Sequence, residues 1–275
     1  MSTAPLVSVI VPTRNSVESL HTCLESIARQ TYARVETLVI DNHSTDATIE
    51  IARSFTPLVY TYGPERSAQR NMGARVAHGS YLVFIDSDMM LSPQVVERCV
   101  QALSDDAAAK GVYIPERSVG SGFWALCKAL ERSCYVGDDT IEAARFFDRT
   151  SFEAVGGYDE GLTAAEDWDL SQRVARFGSL RHIDAYISHL EGHLTLAEAM
   201  RGKFYYGKSI GRYLRKRHNS TAKQLPIVRR AFLRHWRRLV AQPKFMVGMI
   251  VLRMCEYLAG AAGLISTGLW RERQP

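Results

Sequence analysis

Apolar runs and polar punctuation alternate along the first two thirds of the chain. Residues 6–11 (LVSVIV) are almost wholly apolar, stop at Pro12, and predict a strand buried on both faces. Asn15 followed by Glu18 has the form of a capping box, and Val17, Leu20, Cys23, Leu24 and Ile27 recur behind it at helical spacing. Residues 35–40 predict a second strand ending at Asp41, after which Thr45 or Asp46 caps a short helix through Ser54. A weaker strand at 58–61 and the Gly63-Pro64 turn lead into a helix over 69–77, with Gly79 as its C-cap. Residues 81–85 (YLVFI) predict a further buried strand, and Ser92-Pro93 carry the start signal of the next helix. Strands and helices in this rhythm make a mostly parallel sheet with helices on both faces, an α/β fold.

The pattern then loosens. Val95, Cys99, Ala102 and Leu103 mark a helix, residues 111–115 a strand, 123–132 a helix and 144–148 a strand. Gly156-Gly157 turn the chain toward a helix over 164–177 that opens on Glu166-Asp167-Trp168-Asp169, and a β-rich run over 181–188 ends at His189. From Leu196 the pattern becomes helical and basic, so a boundary is expected near residue 195.

Charge sharpens that boundary. Of the 275 residues, 1–200 hold 17 Lys/Arg and 27 Asp/Glu (net −10), whereas 201–275 hold 17 and 2 (net +15). A basic amphipathic extension carrying Phe204, Tyr205, Tyr206, Tyr213, Phe232 and Trp236 among its cations fits an anionic membrane surface better than nucleic acid, given the acidic first part. Residues 245–252 are apolar, but Arg253 and Glu256 interrupt the continuation toward Trp270. An interfacial or re-entrant helix, or one packed on the rest of the chain or on a second copy, is therefore expected ahead of a span. The five cysteines are scattered without CxxC spacing, which excludes a disulfide framework and suits a reducing cytoplasm. No secretion signal is expected, because 6–11 is too short for a signal-peptide core and no basic segment precedes it.

The candidate chemistry begins where 81–85 runs into Asp86-Ser87-Asp88. Open α/β sheets bind ligands beyond the carboxyl ends of their strands, and residues two apart on an extended chain point the same way. Two carboxylates so placed suit Mg²⁺ or Mn²⁺ holding substrate phosphates. Glu166, Asp167 and Asp169 form a second acidic group, which the helix dipole alone would favour.

Five stretches together (VSVIVPTRN, VIDNHSTDAT, AQRNMGARVAHGSYLVFIDSD, FEAVGGYDE and EDWDLSQR) resemble, in order and spacing, the family 2 nucleotide-sugar glycosyltransferases of the GT-A fold. The resemblance covers roughly residues 5–190. It implies a GT-A, Rossmann-like catalytic domain at 1–195, with a nucleotide-binding half over about 1–90 and an acceptor half over about 91–195, followed by the helical extension 196–275. It implies an inverting, metal-dependent transfer from a nucleoside-diphosphate sugar, UDP-linked by family frequency, to a hydroxyl acceptor. In this reading Thr13, Asp41, Arg70 and Asp86 bind the donor nucleotide. Asp88 and His189 (with His193 as its rival) ligate Mn²⁺ or Mg²⁺, and Asp167 is the general base. The acidic residue that often follows Asp41 in the family is Asn42 here.

The basic extension adds a polyprenyl-phosphate-linked acceptor whose phosphates meet Lys203, Lys208 and Arg212, a peripheral site on the cytoplasmic membrane face, and self-association as a further use. A sugar-nucleotide nucleotidyltransferase is the rival enzyme, disfavoured by the absence of glycine from Val11-Pro12-Thr13-Arg14-Asn15. A non-catalytic membrane- or nucleic-acid-binding module is the rival outside enzymes, and intact Asp86, Asp88 and Asp167 argue against it.

Overall fold

A computed structural model describes residues 4–216 and 229–267. It divides into two units: one from the described residues of Met1–Glu116, Glu142–Glu160 and Glu166–Leu190, the other from those of Arg117–Ile141, Gly161–Ala165 and Glu191–Pro275. The second unit takes in the helix-forming stretch after residue 116 as well as the basic segment from Glu191 on.

The first unit is built on a seven-stranded sheet. Its strands are β1 (Val7–Thr13), β2 (Val35–Asp41), β3 (Val59–Thr61), β4 (Tyr81–Phe84), β6 (Ala109–Tyr113), β8 (Ala144–Asp148) and β9 (Ser179–His182), in the order β3-β2-β1-β4-β8-β6-β9. All neighbours are parallel except β8, which runs antiparallel to both β4 and β6. Alternation along the strands supplies two cores. Val7, Val9, Val11, Val83 and Ile85 face α1 (Leu20–Ala28), α2 (Thr48–Phe55) and α4 (Val95–Ser104), while Ile10, Leu38, Ile40, Leu82 and Phe84 face α3 (Arg66–Val76), α6 (Arg149–Ala154) and α7 (Glu166–Val174). Gly73 lets α3 lie against the sheet, since a Cβ there would come within 2.4 Å of Ile10 Cγ2.

Several boundaries differ from the pattern, for local reasons. Pro12 does not close the first strand but lies within β1, opposite Ile40. Val7 donates its N–H toward β2 and Ile10 accepts from Ile85, so Pro12 faces the β4 side beyond the last β4 pairing, where no ladder donor is needed. Asn15 and Glu18 form no capping box: α1 starts at Leu20, leaving Val17 exposed. Asn15 instead has φ 47° and joins two loops, donating its N–H to Ser44 Oγ and accepting from the Thr45 N–H. The third helix starts at Arg66 and is closed by Ala77, whereas Gly79 N–H donates to Ser8 Oγ. The fourth is capped at Gln94, because Ser92 Oγ accepts from the Tyr186 N–H instead. The seventh is shorter than 164–177 at both ends. The run 181–188 is not one strand. It breaks at the exposed Asp184 into β9, paired with β6, and β10 (Ile187–His193), whose residues 187–189 pair with β5 (Met89–Leu91).

The second unit is mainly helical: after most of β7 (Glu116–Ser121) come α5 (Phe123–Ser133), α8 (Leu196–Lys216), α9 (Arg230–Arg234), α10 (Trp236–Val240) and α11 (Pro243–Ser266). Its core gathers Cys127, Leu130, Tyr135, Ala199, Phe232, Leu239, Met249 and Leu252. Helices α8 and α11 approach through glycine: a Cβ on Gly207 would come to 2.2 Å of Gly260 O, and one on Gly263 to 2.2 Å of Phe204 O. Arg253 and Glu256 do not interrupt α11, which runs unbroken for 24 residues and is long and apolar enough to cross a membrane by length and composition. Arg253 is buried, paired with Glu131 and donating to Tyr135 Oη at 2.8 Å. The five cysteines carry no disulfide. The side chains of Arg212, Arg215 and Lys216, and the whole of Arg217 and Trp270, lie outside the described residues.

Candidate active site

The carboxyl ends of β2 and β4 and the start of α7 carry the acidic motifs, beside the carboxyl end of β1. Their centre is Arg70, on α3 and 0% exposed. Its Nη2 donates to Asp86 Oδ1 at 2.6 Å, and its Nη1 donates to Asp167 Oδ1 at 2.9 Å and Glu166 Oε1 at 3.2 Å. The guanidinium also lies 4.9 Å from the centroid of the Tyr158 ring. One side chain therefore joins the acid following β4 to the acids opening α7, with Arg70 reaching Asp167 across a sequence separation of 97 residues. A buried cation is tolerated only when so paired, and a planar fork meets several carboxylates at once.

Two further arginines complete the group. Arg145, on β8, donates Nε–H to Glu116 Oε1 at 2.7 Å and places Nη1 3.6 Å from Asp86 Oδ2. Arg66, one turn before Arg70, lies 3.6 Å from Glu166 and 4.0 Å from Asp86. Burial alone would raise the Asp86 carboxyl, but Arg70, Arg145 and Arg66 outweigh it and hold that group well below the usual range. Glu166 moves the other way: burial first, then the neighbouring Asp167 charge, raise it despite Arg70 and Arg66. Among the described residues, Arg66, Arg70 and Arg145 together meet the carboxylates of Glu116, Asp86, Glu166 and Asp167.

Asp86 and Asp88 keep different company. The chain does not stay extended beyond β4: Met89 N–H donates to Asp86 O across a turn. The rule that residues two apart point the same way consequently lapses, and Asp86 turns to the arginines. The Asp88 side chain is 44% exposed, with Oδ2 3.7 Å from His189 Nε2, a residue that lies inside β10 opposite Met89. Two ligands each about 2.1 Å from one ion stand roughly 3 to 4 Å apart, so this pair fits a shared cation. Among the described residues no group of three or more His, Cys, Asp or Glu is placed to hold a metal. A divalent ion here would take its remaining ligands from phosphate and water, as Mg²⁺ and Mn²⁺ do at diphosphate sites.

The other expected donor-site residues line the neighbouring strand ends. Thr13 is 3% exposed, and its hydroxyl is buried without a hydrogen-bond partner among the described residues. Asp41 is 0% exposed and accepts from Ser44 N–H at 2.8 Å on Oδ2 and Ser44 O–H at 2.5 Å on Oδ1. Gln69 braces both strand ends, donating to Thr13 O at 3.0 Å and Ile40 O at 2.6 Å. Arg70, which the resemblance turns toward a nucleotide, has its guanidinium enclosed by carboxylates instead. Lys203 and Lys208 are exposed on α8 in the second unit, with Lys208 Nζ 4.9 Å from the Phe204 ring centroid. His193 ends β10, its Nδ1 3.4 Å from Ser121 Oγ.

Sequence reasoning passed over Arg66, Glu116, Arg145 and Tyr158. Arg145 left a trace: it is the one charge inside the apolar run ARFF, and a charge inside a buried strand must have a partner.

Residues 8–155, more than half of the chain, match Glycosyl transferase family 2. The chain belongs to that family. Its relatives include the chondroitin synthase of Escherichia coli, 26% identical over 66% of this chain and 28% of the relative. The glycosyltransferase AglE of Haloferax volcanii is 38% identical over 38% of this chain and 37% of its own length. The chain thus spans well under half of either protein. Among solved structures, the mannosyltransferase PcManGT of Pyrobaculum calidifontis, determined with GDP-Man and Mn²⁺, superposes with a TM-score of 0.67 at 18% identity, over 94% of this chain and 88% of that one. TarS 1-349 of S. aureus in complex with UDP gives 0.55 at 17% identity, over 98% and 92%. The fold is GT-A, and the family 2 domain is a glycosyltransferase domain.

Proposed function

We propose that this family 2 domain transfers a sugar, with inversion, from a nucleoside-diphosphate donor to a hydroxyl acceptor, using Asp167 as general base. The observation that carries the reading is the Arg70 cluster, which gathers Asp86, Glu166 and Asp167 within reach of one guanidinium. The Asp167 side chain is 20% exposed against 5% for Glu166, so Asp167 is the acid of the pair within reach of an acceptor. As the acceptor oxygen bonds to the anomeric carbon, its proton passes to Asp167. The bond from that carbon to the diphosphate oxygen breaks on the opposite face, and the electron pair leaves with the nucleoside diphosphate. Arg70 holds Asp167 in place while it does so.

Asp88 and His189 would hold Mn²⁺ or Mg²⁺, which when bound supplies Lewis-acid stabilisation of the leaving diphosphate. Thr13, with its unpartnered hydroxyl, and Asp41 would meet the nucleotide, for which UDP is the first candidate. GDP-Man in one fold neighbour and UDP in another support a nucleotide-sugar donor without choosing between them. The acceptor is read as lipid-linked at a membrane surface, with Lys203 and Lys208 meeting its phosphates, in the cytoplasmic compartment.

A panel of nucleotide sugars tests this directly, scored for released nucleoside diphosphate with Mn²⁺, with Mg²⁺ and with chelator. One donor should be turned over, and chelation should stop it. Absence of turnover across the UDP-, GDP- and dTDP-linked donors, with both metals, would sink the reading.

A further inference from the structure

Helix α11 is built the wrong way round for a helix facing water. Its buried stripe includes Gly248, Met249, Leu252, Arg253, Ala259 and Gly263, packed toward α8 and α5. Arg253 on that stripe is closed by Glu131, Tyr135 and Tyr257. From Val247 to Ile265 every exposed residue is apolar: Val247, Ile250, Val251, Met254, Leu258, Ala261, Ala262 and Ile265. The stripe is continuous over five turns, about 27 Å at 1.5 Å per residue. A water-facing helix carries its polar residues on that side, and a contiguous apolar stripe of this length marks a surface that meets something else.

The surrounding charge says what that is. Residues 229–267 contain seven Lys/Arg and one acid, Glu256. Arg230, Arg234, Arg237 and Lys244 are exposed, and between them stand the exposed apolar residues Leu233, Trp236 and Val240. A basic rim with an aromatic and aliphatic face is complementary to anionic headgroups over hydrocarbon. A second copy would bring the same cations against each other. Nucleic acid would leave the apolar stripe uncovered.

Orientation follows from α8. That helix lies along α11 at glycine contacts and exposes Arg201, Lys203 and Lys208. The contacts are antiparallel, so turning α11 across a bilayer would carry Lys208, next to the Gly207–Gly260 contact, toward hydrocarbon at a large cost, whereas lying flat leaves all three charges at or above the headgroups.

We propose that α11 is an in-plane anchor. Val247, Ile250, Val251, Met254, Leu258 and Ile265 enter the acyl boundary of an anionic bilayer, and Arg230, Arg234 and Arg237 meet its headgroup phosphates. The proposal rests on the membrane part of the reading above and not on its chemistry.

The test uses the full chain and two vesicles, phosphatidylcholine alone and a three-to-one mixture with phosphatidylglycerol. Flotation should show binding that is stronger on the mixture. Leu258→Asp should lower it by about tenfold or more, and Arg234→Glu with Arg237→Glu should abolish the preference for the mixture. Each variant should retain donor hydrolysis, so that loss of hydrolysis in the unaltered chain speaks against the transferase reading and loss of flotation against this one. Fluorophores placed by Ile250→Cys or Ile265→Cys in a Cys255→Ser chain should be quenched to the same depth by spin-labelled lipids. Depths differing by about 20 Å would make α11 a span and overturn the proposal. So would flotation that Leu258→Asp leaves unchanged, or a sedimenting dimer that the same variant dissolves while vesicles bind nothing.

Discussion

Each unit buries an arginine, and the two arginines are answered differently. Arg253 meets Glu131 and the phenols of Tyr135 and Tyr257, all within the helical unit. Arg70 meets three carboxylates arriving from a strand end and a helix start, beside Arg66 and Arg145. The first arrangement lies inside a core of packed helices. The second leaves a partly exposed carboxylate, Asp167, at the edge where α/β sheets bind ligands. Burial of a charge is thus not what separates a site from a scaffold; the partly exposed carboxylate and its place are.

The largest expected effect separates the regions by chemistry. Asp167→Asn should lower transfer by about 10²–10⁴-fold with donor affinity nearly unchanged, whereas Glu131→Gln should leave the rate of the folded enzyme within a few-fold. Initial rates and calorimetry on both variants check this, and equal losses would erase the distinction. Next comes stability. Arg70→Met strands three acids and should cost about 3–5 kcal/mol by denaturant unfolding. Arg253→Met strands one, and adding Glu131→Leu to it should recover most of the loss, since apolar replacement of a buried pair is often close to neutral. Asp88→Ala should weaken Mn²⁺-dependent donor binding by roughly 10–100-fold while donor binding without metal changes little, as titrations with and without the ion would reveal.

The smallest effect is a pH dependence. The Glu166 carboxyl is raised above its ordinary 4.5. Its contribution to stability is therefore full below that value and lost as pH rises through the folded one. Asp86 is depressed, so its contribution is full above its ordinary 3.8 and lost only as pH falls through its low folded value. Above pH 4.5 Glu166 should consequently be the titrating member of the two. Glu166→Gln should flatten the fall in urea midpoint over that range; an unchanged slope would place the titration elsewhere.

Much of the fold was legible in local pattern. Strands β1, β2, β4 and β8 lie over largely apolar runs because strands inside a sheet covered on both faces favour apolar residues at successive positions. The apolar stripe of α1 is legible from Leu20 on, but not its start, because Asn15 is drawn into a contact with a loop 30 residues away that no local rule foresees. The split of 181–188 escaped for a similar cause: β9 and β10 pair with different strands, and partner choice leaves no mark on a short β-rich run.

At the site, the residue types were in the sequence and their company was not. Family-matching motifs named Asp86, Asp88, Arg70, Asp167 and His189. Tertiary structure parted Asp86 from Asp88 by a turn, set Asp88 beside His189, and enclosed Arg70 among acids from both ends of the first unit. It also turned Arg253 inward and the apolar side of α11 outward, although composition had made those charges look like interruptions. The physical reason is common to both cases. Periodicity records which residues share a face, while charge has long reach, and only the folded chain decides which opposite charge it finds.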